Sequence, residues 1–266
     1  MSSGDLKTAI ARQIGRRFPR AWMERELRFR PHHFEAELWL TPIFCSKEKT
    51  AIDIGANMGS YAYYMAKFSN NVIAFEPNAD LCKGLRHLLG RRAHLELIAL
   101  SSKSSKAIMR IDHSNTGVAT IEEKNDLLCV KDKSCVITRE IETRTLDSYA
   151  FTNVSMVKID VEGHEEAVID GARETIERNQ PVLIIESEDR HNAGAPRRLE
   201  KTLSQMGYRG YYLKKLRLMD FSTLCAEDTD PKNLDGGSLA YINNFIFIPA
   251  RQPALIARVL AHLSGS

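Results

Sequence analysis

From residue 50 onward, short apolar runs alternate with amphipathic segments. "TAIDIGA" precedes "YAYYMAKF", "NVIAFEP" precedes a segment with Leu81, Leu85, Leu88 and Leu89 on one helical face, and "LELIALS" follows. Such an alternation buries its apolar runs as a mostly parallel sheet covered by helices on both sides. The order breaks at 102–146, where "AIMRIDH", "GVATIEE" and "SCVITREIETRTLDSY" are rich in β-branched and turn residues and read as inserted hairpin strands. It then resumes. "VSMVKIDV" is a strand, residues 164–178 a helix with Val168, Ala172 and Ile176 in register, "PVLIIES" a strand, and a helix begins at Pro196 with Leu199, Leu203 and Met206 aligned. "YRGYYLKK" and "YINNFIFIP" are two closing strands separated by "AEDTDPKNLDGGS", and a last helix starts at Pro253.

At 266 residues with 43% hydrophobic content, the chain suits one enlarged α/β domain, placed at 46–266. Residues 1–45 are expected to form a helical arm, with Leu6, Ile10 and Ile14 in helical register and breaks at Pro19, Pro31 and Pro42. The net charge is +3, and residues 1–30 carry eight Lys/Arg against three acids, +5, leaving −2 for the rest. Any basic face therefore belongs to the arm, through Arg12, Arg16, Arg17, Arg20, Arg25, Arg28 and Arg30. Peripheral contact with an anionic surface and a solvated helix face are both compatible with it. No apolar run is long enough to span a bilayer, and the N-terminus lacks a secretory apolar core. The five cysteines, Cys45, Cys82, Cys129, Cys135 and Cys225, are odd in number and scattered, so they read as reduced thiols of a cytoplasmic protein.

"AIDIGANMGSYA", residues 51–62, reads as a strand, a glycine turn and a helix start, the setting in which backbone N–H groups face a ligand anion. The dinucleotide fingerprint G-x-G-x-x-G fails at its second and third glycines, where Asn57 and Ser60 stand. Asp53, ending the first strand, would repel a pyrophosphate. S-adenosylmethionine (SAM) carries no phosphate, and its ammonium and sulfonium suit a nearby acid. Glu76 in "FEPN", 23 residues after Asp53, is placed to accept from two ribose hydroxyls. Ala99, Leu100 and Ser101 are placed to frame an adenine ring.

With these residues the sequence resembles the class I SAM-dependent methyltransferases, and more narrowly the FkbM family. The likeness is carried by "IDIGANMGSY" (52–61), "FEPN" (75–78), "IALSS" (98–102), "TRTLDSY" (143–149), "VKIDVEGHEEAVIDGA" (157–172), "PVLIIE" (181–186) and "NNFIFIP" (243–249). The resemblance implies a seven-stranded, mostly parallel sheet whose last strand is antiparallel, SAM as methyl donor, and a hydroxyl acceptor on a sugar, glycan or polyketide-type metabolite. It also implies that Asp53, Gly55, Ala56, Asn57, Gly59, Ser60 and Tyr61, with Glu76, Pro77 and Asn78, hold SAM, and that Asp160 faces the transferred methyl. Residues 1–45 lie outside it.

An extended "VKIDVE" puts Lys158, Asp160 and Glu162 on one face and Val157, Ile159 and Val161 on the other, with His164 a turn later. An alcohol is a poor nucleophile until a base takes its proton. His164 is the expected base, Glu162 or Glu186 its orienting partner, and Asp160 the group meeting the acceptor hydroxyl or the SAM amine. Helix-start acids such as Glu162, Glu165 and Glu166 also favour the positive end of a helix without catalysis. No metal is expected; a magnesium set of Asp160, Glu162 and Glu186 is the weaker alternative. Two other functions compete: an RNA 2′-O-methyltransferase, disfavoured because no separate RNA-binding module is present, and a catalytically silent SAM-fold protein that binds partners through the arm. The turn-rich "DHSNTG" (112–117) has the composition of a loop closing over substrate.

Overall fold

The computed structural model describes residues 18–112, 118–122, 125, 133–236 and 241–265. Strands β1 (Thr50–Ile54), β2 (Asn71–Phe75), β3 (His94–Glu96), β8 (Val154–Ile159) and β9 (Val182–Glu186) run parallel in one sheet. Two more, β12 (Asn244–Pro249) and β10 (Tyr208–Lys214), follow antiparallel to their neighbours, and β11 (Arg217–Asp220) is added at the edge. The order is β11-β10-β12-β9-β8-β1-β2-β3. The sheet thus has eight strands where seven were expected. The extra hairpin turns at Lys215 and Leu216, with φ of 51° and 59°. Two left-handed residues make the turn that matches strand twist, but without the glycine or asparagine that announces it in a sequence.

Helices α1 (Pro19–Phe29), α2 (Thr41–Phe44), α3 (Ser60–Met65), α4 (Ala79–Leu89) and α8 (Pro253–Ser264) cover one face of the sheet. Helices α5 (Glu165–Asp170), α6 (Arg173–Asn179) and α7 (Ala195–Gln205) cover the other. The period of two along β1 divides its residues between the faces: Ala51 joins the first core, Ile52 and Ile54 the second. The helix expected over 164–178 is two helices, α5 and α6. At Gly171 a β-carbon would lie 2.1 Å from the Ser101 carbonyl oxygen, and Asp147 restarts the helix by accepting from the Glu174 and Thr175 amides at 3.1 and 2.8 Å.

The expected insert forms a second sheet, ordered β4-β7-β5-β6, in which β5 (Ser105–Asp112) and β7 (Val136–Arg144) pair antiparallel from Ser105↔Thr143 to Asp112↔Val136. The "LELIALS" run is split, β3 staying in the main sheet and β4 (Ala99–Leu100) joining the insert beside β7, with β6 (Ala119–Thr120) at the far edge. The described part of the N-terminal segment is packed into the first core: Met23, Leu38, Leu40 and Phe44 are all buried there. The arginine Arg20 ties α1 down by donating from Nε to the Leu88 carbonyl at 2.8 Å. Leu6, Ile10, Ile14, Arg12, Arg16, Arg17, Cys129 and most of "DHSNTG" lie outside the described residues.

Candidate active site

The carboxyl ends of β1, β2 and β8 open into a cleft. Gly55, Asn57, Glu76, Pro77, Ala99, Leu100, Asp160, Glu162 and His164 of the expected residues line it. Ile98, Met109 and Ile121 add apolar wall, Met109 and Ile121 from the insert. Local backbone demands explain the glycines. Gly55 has φ 81°, and a β-carbon on it would lie 1.8 Å from the Asp160 carbonyl oxygen, so β1 and β8 approach there as closely as backbone allows. Gly59, at φ 82°, begins α3 against Leu85 and Leu88 of α4.

Glu76 is 6% exposed, and each carboxylate oxygen accepts one backbone amide, Oε2 from Asn57 and Oε1 from Asn78, both at 2.8 Å. Burial raises its pKa against those bonds, and Asp160 adds to the rise. Asp53 stands elsewhere. It does not line the cleft: its Oδ2 accepts from the Ala62 amide at 2.8 Å, within the first turn of α3, and burial pushes its carboxyl up to about 7. It anchors the loop from beneath. Ala56, Gly59, Ser60, Tyr61 and Asn78 likewise shape or flank the loop and do not line the cleft. Ser101 also stands back and hydrogen-bonds His164 Nε2 at 2.9 Å.

His164 Nδ1 lies 3.2 Å from Glu122 Oε2, so both ring nitrogens are engaged, and Glu122 of the insert stands where Glu162 or Glu186 was expected as the orienting partner. Burial lowers the His164 pKa, against the pull of Glu122. Glu162 instead meets His191 at 3.3 Å. Burial and Asp160 push Glu162 up to about 8, while burial pushes His191 down to about 4. Glu162 itself has φ 53°, and its carbonyl accepts from Thr120 Oγ1 at 2.8 Å and Asn125 Nδ2 at 2.7 Å. The insert thus holds the turn after β8.

Asp160 meets Glu186, at the end of β9, in a side-chain hydrogen bond, and burial raises both carboxyls. Glu35, from the N-terminal segment, completes a trio whose carboxyl oxygens lie within 4.8 Å of one another. Among the described residues this is the one group of acids or histidines close enough to share a cation, and Glu35 stands where Glu162 was considered. Lys158 runs beneath it, 1% exposed, its Nζ 2.8 Å from Asn244 Oδ1, 3.4 Å from Glu35 Oε2 and 5.0 Å from the centre of the Tyr61 ring. Burial works against its charge, but Glu35, Asp160, Glu186 and Glu37 together raise its pKa.

Several of these groups carried no functional signal in the sequence. Glu35 lies in a segment outside the recognised pattern. Asn243 donates to Glu186 Oε1 at 2.9 Å, and Asn244 holds Lys158. The paired amides of "NNFIFIP" were the available hint, since polar residues rarely lead an apolar strand without a task. Glu188, Arg190 and Tyr241 form a further group behind Glu186. Arg190 and Tyr241 bond the Glu188 carboxylate and hold it down to about 2 despite burial.

The Methyltransferase FkbM domain family matches residues 53–209. A search among curated proteins gave no match. Among solved structures, the chain is similar to methyltransferase FkbM from Methylobacillus flagellatus KT, at 14% identity and a TM-score of 0.50, over 76% of this chain and 44% of that one. The chain thus spans less than half the length of that protein. It is also similar to a rRNA methylase from Streptococcus thermophilus (11% identity, TM-score 0.43, 79% of this chain and 91% of that one). A third is the O-methyltransferase from Bacillus cereus in complex with SAH (12%, 0.44, 83% and 84%). Among the described residues no helix is long and apolar enough to cross a membrane.

Proposed function

The chain belongs to the FkbM methyltransferase family, and on that premise we propose that it moves the methyl group of SAM to a hydroxyl of a saccharide or specialised metabolite. The observation that carries the reading is the position of Asp160, which lines the cleft and also stands in the carboxylate trio with Glu35 and Glu186. One residue thereby joins the cleft to a cluster of carboxyl groups.

The donor fits the residues present. Glu76, with both oxygens fixed by backbone amides, keeps lone pairs for a vicinal diol. The bare Gly55 leaves backbone accessible where a side chain would obstruct, and Ala99, Leu100, Ile98 and Met109 offer an apolar slot for a base. Bound SAM would supply an electrophilic methyl on a sulfonium. The chain would supply orientation, worth roughly 7–11 kcal/mol in well-held reactants, and a proton acceptor. Asp160 would take the acceptor's hydroxyl proton while the methyl leaves the sulfonium for the oxygen, and its raised pKa brings it nearer the pH at which a general base works. Glu186 would hold the Asp160 carboxylate by a hydrogen bond, and Lys158 limits repulsion in the cluster. We assign His164, bonded to Ser101 and Glu122, to closing the cleft beside the base slot rather than to proton transfer.

An RNA acceptor is disfavoured by charge. A phosphate backbone would face Glu35, Glu37, Asp160 and Glu186, and Lys158 is buried beneath them. Among the described residues no two cysteines form a disulfide, in keeping with a reducing compartment, and we place the protein in the cytoplasm. Calorimetry with SAM and SAH tests the donor, no heat of binding being the result that defeats it. Labelled methyl incorporation across a panel of glycans and metabolites tests the acceptor class, and labelling confined to RNA would defeat the hydroxyl-metabolite reading.

A further inference from the structure

Beyond the trio lies a second cavity of about 630 Å³, counting its opening, walled by Glu35, Glu37, Leu213, Tyr241, Asn243 and Asn244. It adjoins the cleft directly, because Glu35 lines it, Asp160 lines the cleft, and their carboxyl oxygens lie within 4.8 Å. Glu35 is already engaged: its Oε2 receives the Tyr61 hydroxyl at 2.9 Å and lies near the Lys158 ammonium. Glu37 is different. It is 7% exposed, it faces the cavity, its own backbone amide bonds its carboxylate, and among the described residues no cation pairs with it directly.

A carboxylate removed from water without a partner is costly, and here Lys158 alone faces Glu35, Glu37, Asp160 and Glu186. In the empty cavity burial answers that shortage by pushing the Glu37 carboxyl up to about 8, so near neutral pH a proton sits where a cation could. The neighbouring polar groups are arranged as fixed walls. Tyr241 is held by Glu188 at 2.6 Å, and Asn243 and Asn244 are bonded to each other and to Glu186 and Lys158.

We propose that this cavity is the acceptor subsite and that it takes a protonated amine, so that the substrate is an aminated saccharide or amino alcohol whose ammonium pairs with Glu37 while its hydroxyl reaches Asp160. The proposal rests on the methyl-transfer reading and narrows its acceptor. An ammonium suits the site better than a divalent ion. Three donors on a compact cation match one carboxylate among amide walls, whereas a metal in the trio would sit against the Lys158 ammonium, 3.4 Å from Glu35.

The test uses the full chain at neutral pH, titrated with glucosamine, N-acetylglucosamine and glucose, which share a ring and differ in charge at one position. Titrations are run with and without SAH. Glucosamine should bind at least about tenfold more tightly than either neutral sugar. Glu37→Gln should erase that preference while leaving SAH affinity unchanged, and because burial pushes the Glu37 carboxyl up to about 8 the amide is isosteric with the protonated acid, so the variant should fold. A second variant, Leu213→Trp, fills the cavity and should abolish glucosamine binding. Equal affinities, no glucosamine binding, a preference that survives Glu37→Gln, or binding undiminished in Leu213→Trp each overturns the subsite. Magnesium alone is titrated in parallel; tight binding lost in Glu37→Gln would identify a metal site and overturn the amine. Failure of SAH to bind defeats the methyl-transfer reading instead, and the titrations without SAH still decide the amine.

Discussion

Asp160 and His164 are four residues apart, yet their surroundings give them different work. Asp160 lines the cleft, lies beside Glu35 of the second cavity and shares a hydrogen bond with Glu186, whereas each ring nitrogen of His164 already has a partner. Asp160→Asn should therefore lower turnover by about 100-fold to 10,000-fold, the range a positioned base supplies, with SAM affinity changed little. His164→Gln should weaken SAM binding more than it slows the bound complex; single-turnover kinetics separates the two, and a larger loss of rate in the histidine variant would return it to the role of base. Glu76→Ala removes a charged acceptor from the ribose position and should cost SAM affinity about 1.5–3 kcal/mol, read by calorimetry. Gly55→Ala is a backbone prediction. The added carbon would meet the Asp160 carbonyl at 1.8 Å in a residue at φ 81°, so a loss exceeding the ~1–3 kcal/mol of ordinary backbone strain should appear in urea denaturation.

Among the elements, the insert is the one whose role changes most between sequence and structure. Its hairpin composition announces strands, but not that β6 and the residues after it reach across to the turn following β8. Thr120 and Asn125 donate to the Glu162 carbonyl, Glu122 meets His164, and Met109 and Ile121 wall the cleft. A left-handed glutamate is uncommon, and these bonds offset its strain. Thr120→Val should lower stability by about 1 kcal/mol, and hydrogen exchange at the Gly163 amide should accelerate, since that amide bonds Glu165 within the same turn. Unchanged exchange would show that the turn stands without the insert. The strand β12 acts similarly on the other side, its leading asparagines fixing Lys158 and Glu186 before the apolar run enters the sheet.

Across the whole molecule, acids gather at the carboxyl end of the sheet, where parallel strands stop and ligands bind. Burial pushes Asp53 and Glu165 up to about 7, and Glu37 and Glu162 up to about 8. Between the ordinary carboxyl range and these values the folded chain holds more protons than the unfolded one, so stability falls as pH rises through that window. Melting temperature should drop from pH 5 to pH 8, roughly the window those shifts define, and less steeply in Glu37→Gln; a melting temperature that rises over this range would contradict the burial of these groups. The alternation of apolar runs was enough to establish a parallel sheet with helices on both faces, because only that packing hides such runs. The glycine turn, "FEPN" and "KIDVEG" were legible for a related reason: strand ends, tight turns and acids leave marks at fixed short spacings. The β11 hairpin, the break at Gly171 and the loop-anchoring place of Asp53 left no such mark, since each depends on a neighbour distant in the chain. The carboxylate trio is the clearest case. Glu35, Asp160 and Glu186 lie in three separate stretches, and the folding of the N-terminal segment into the core is what places Glu35 beside the other two. Sequence by itself determined the sheet and the strand-end turns that line the cleft, which are written in local periodicity and turn chemistry. Tertiary structure alone decided which charges meet, because the Coulomb energy between two groups depends on their separation in space and not on their separation along the chain.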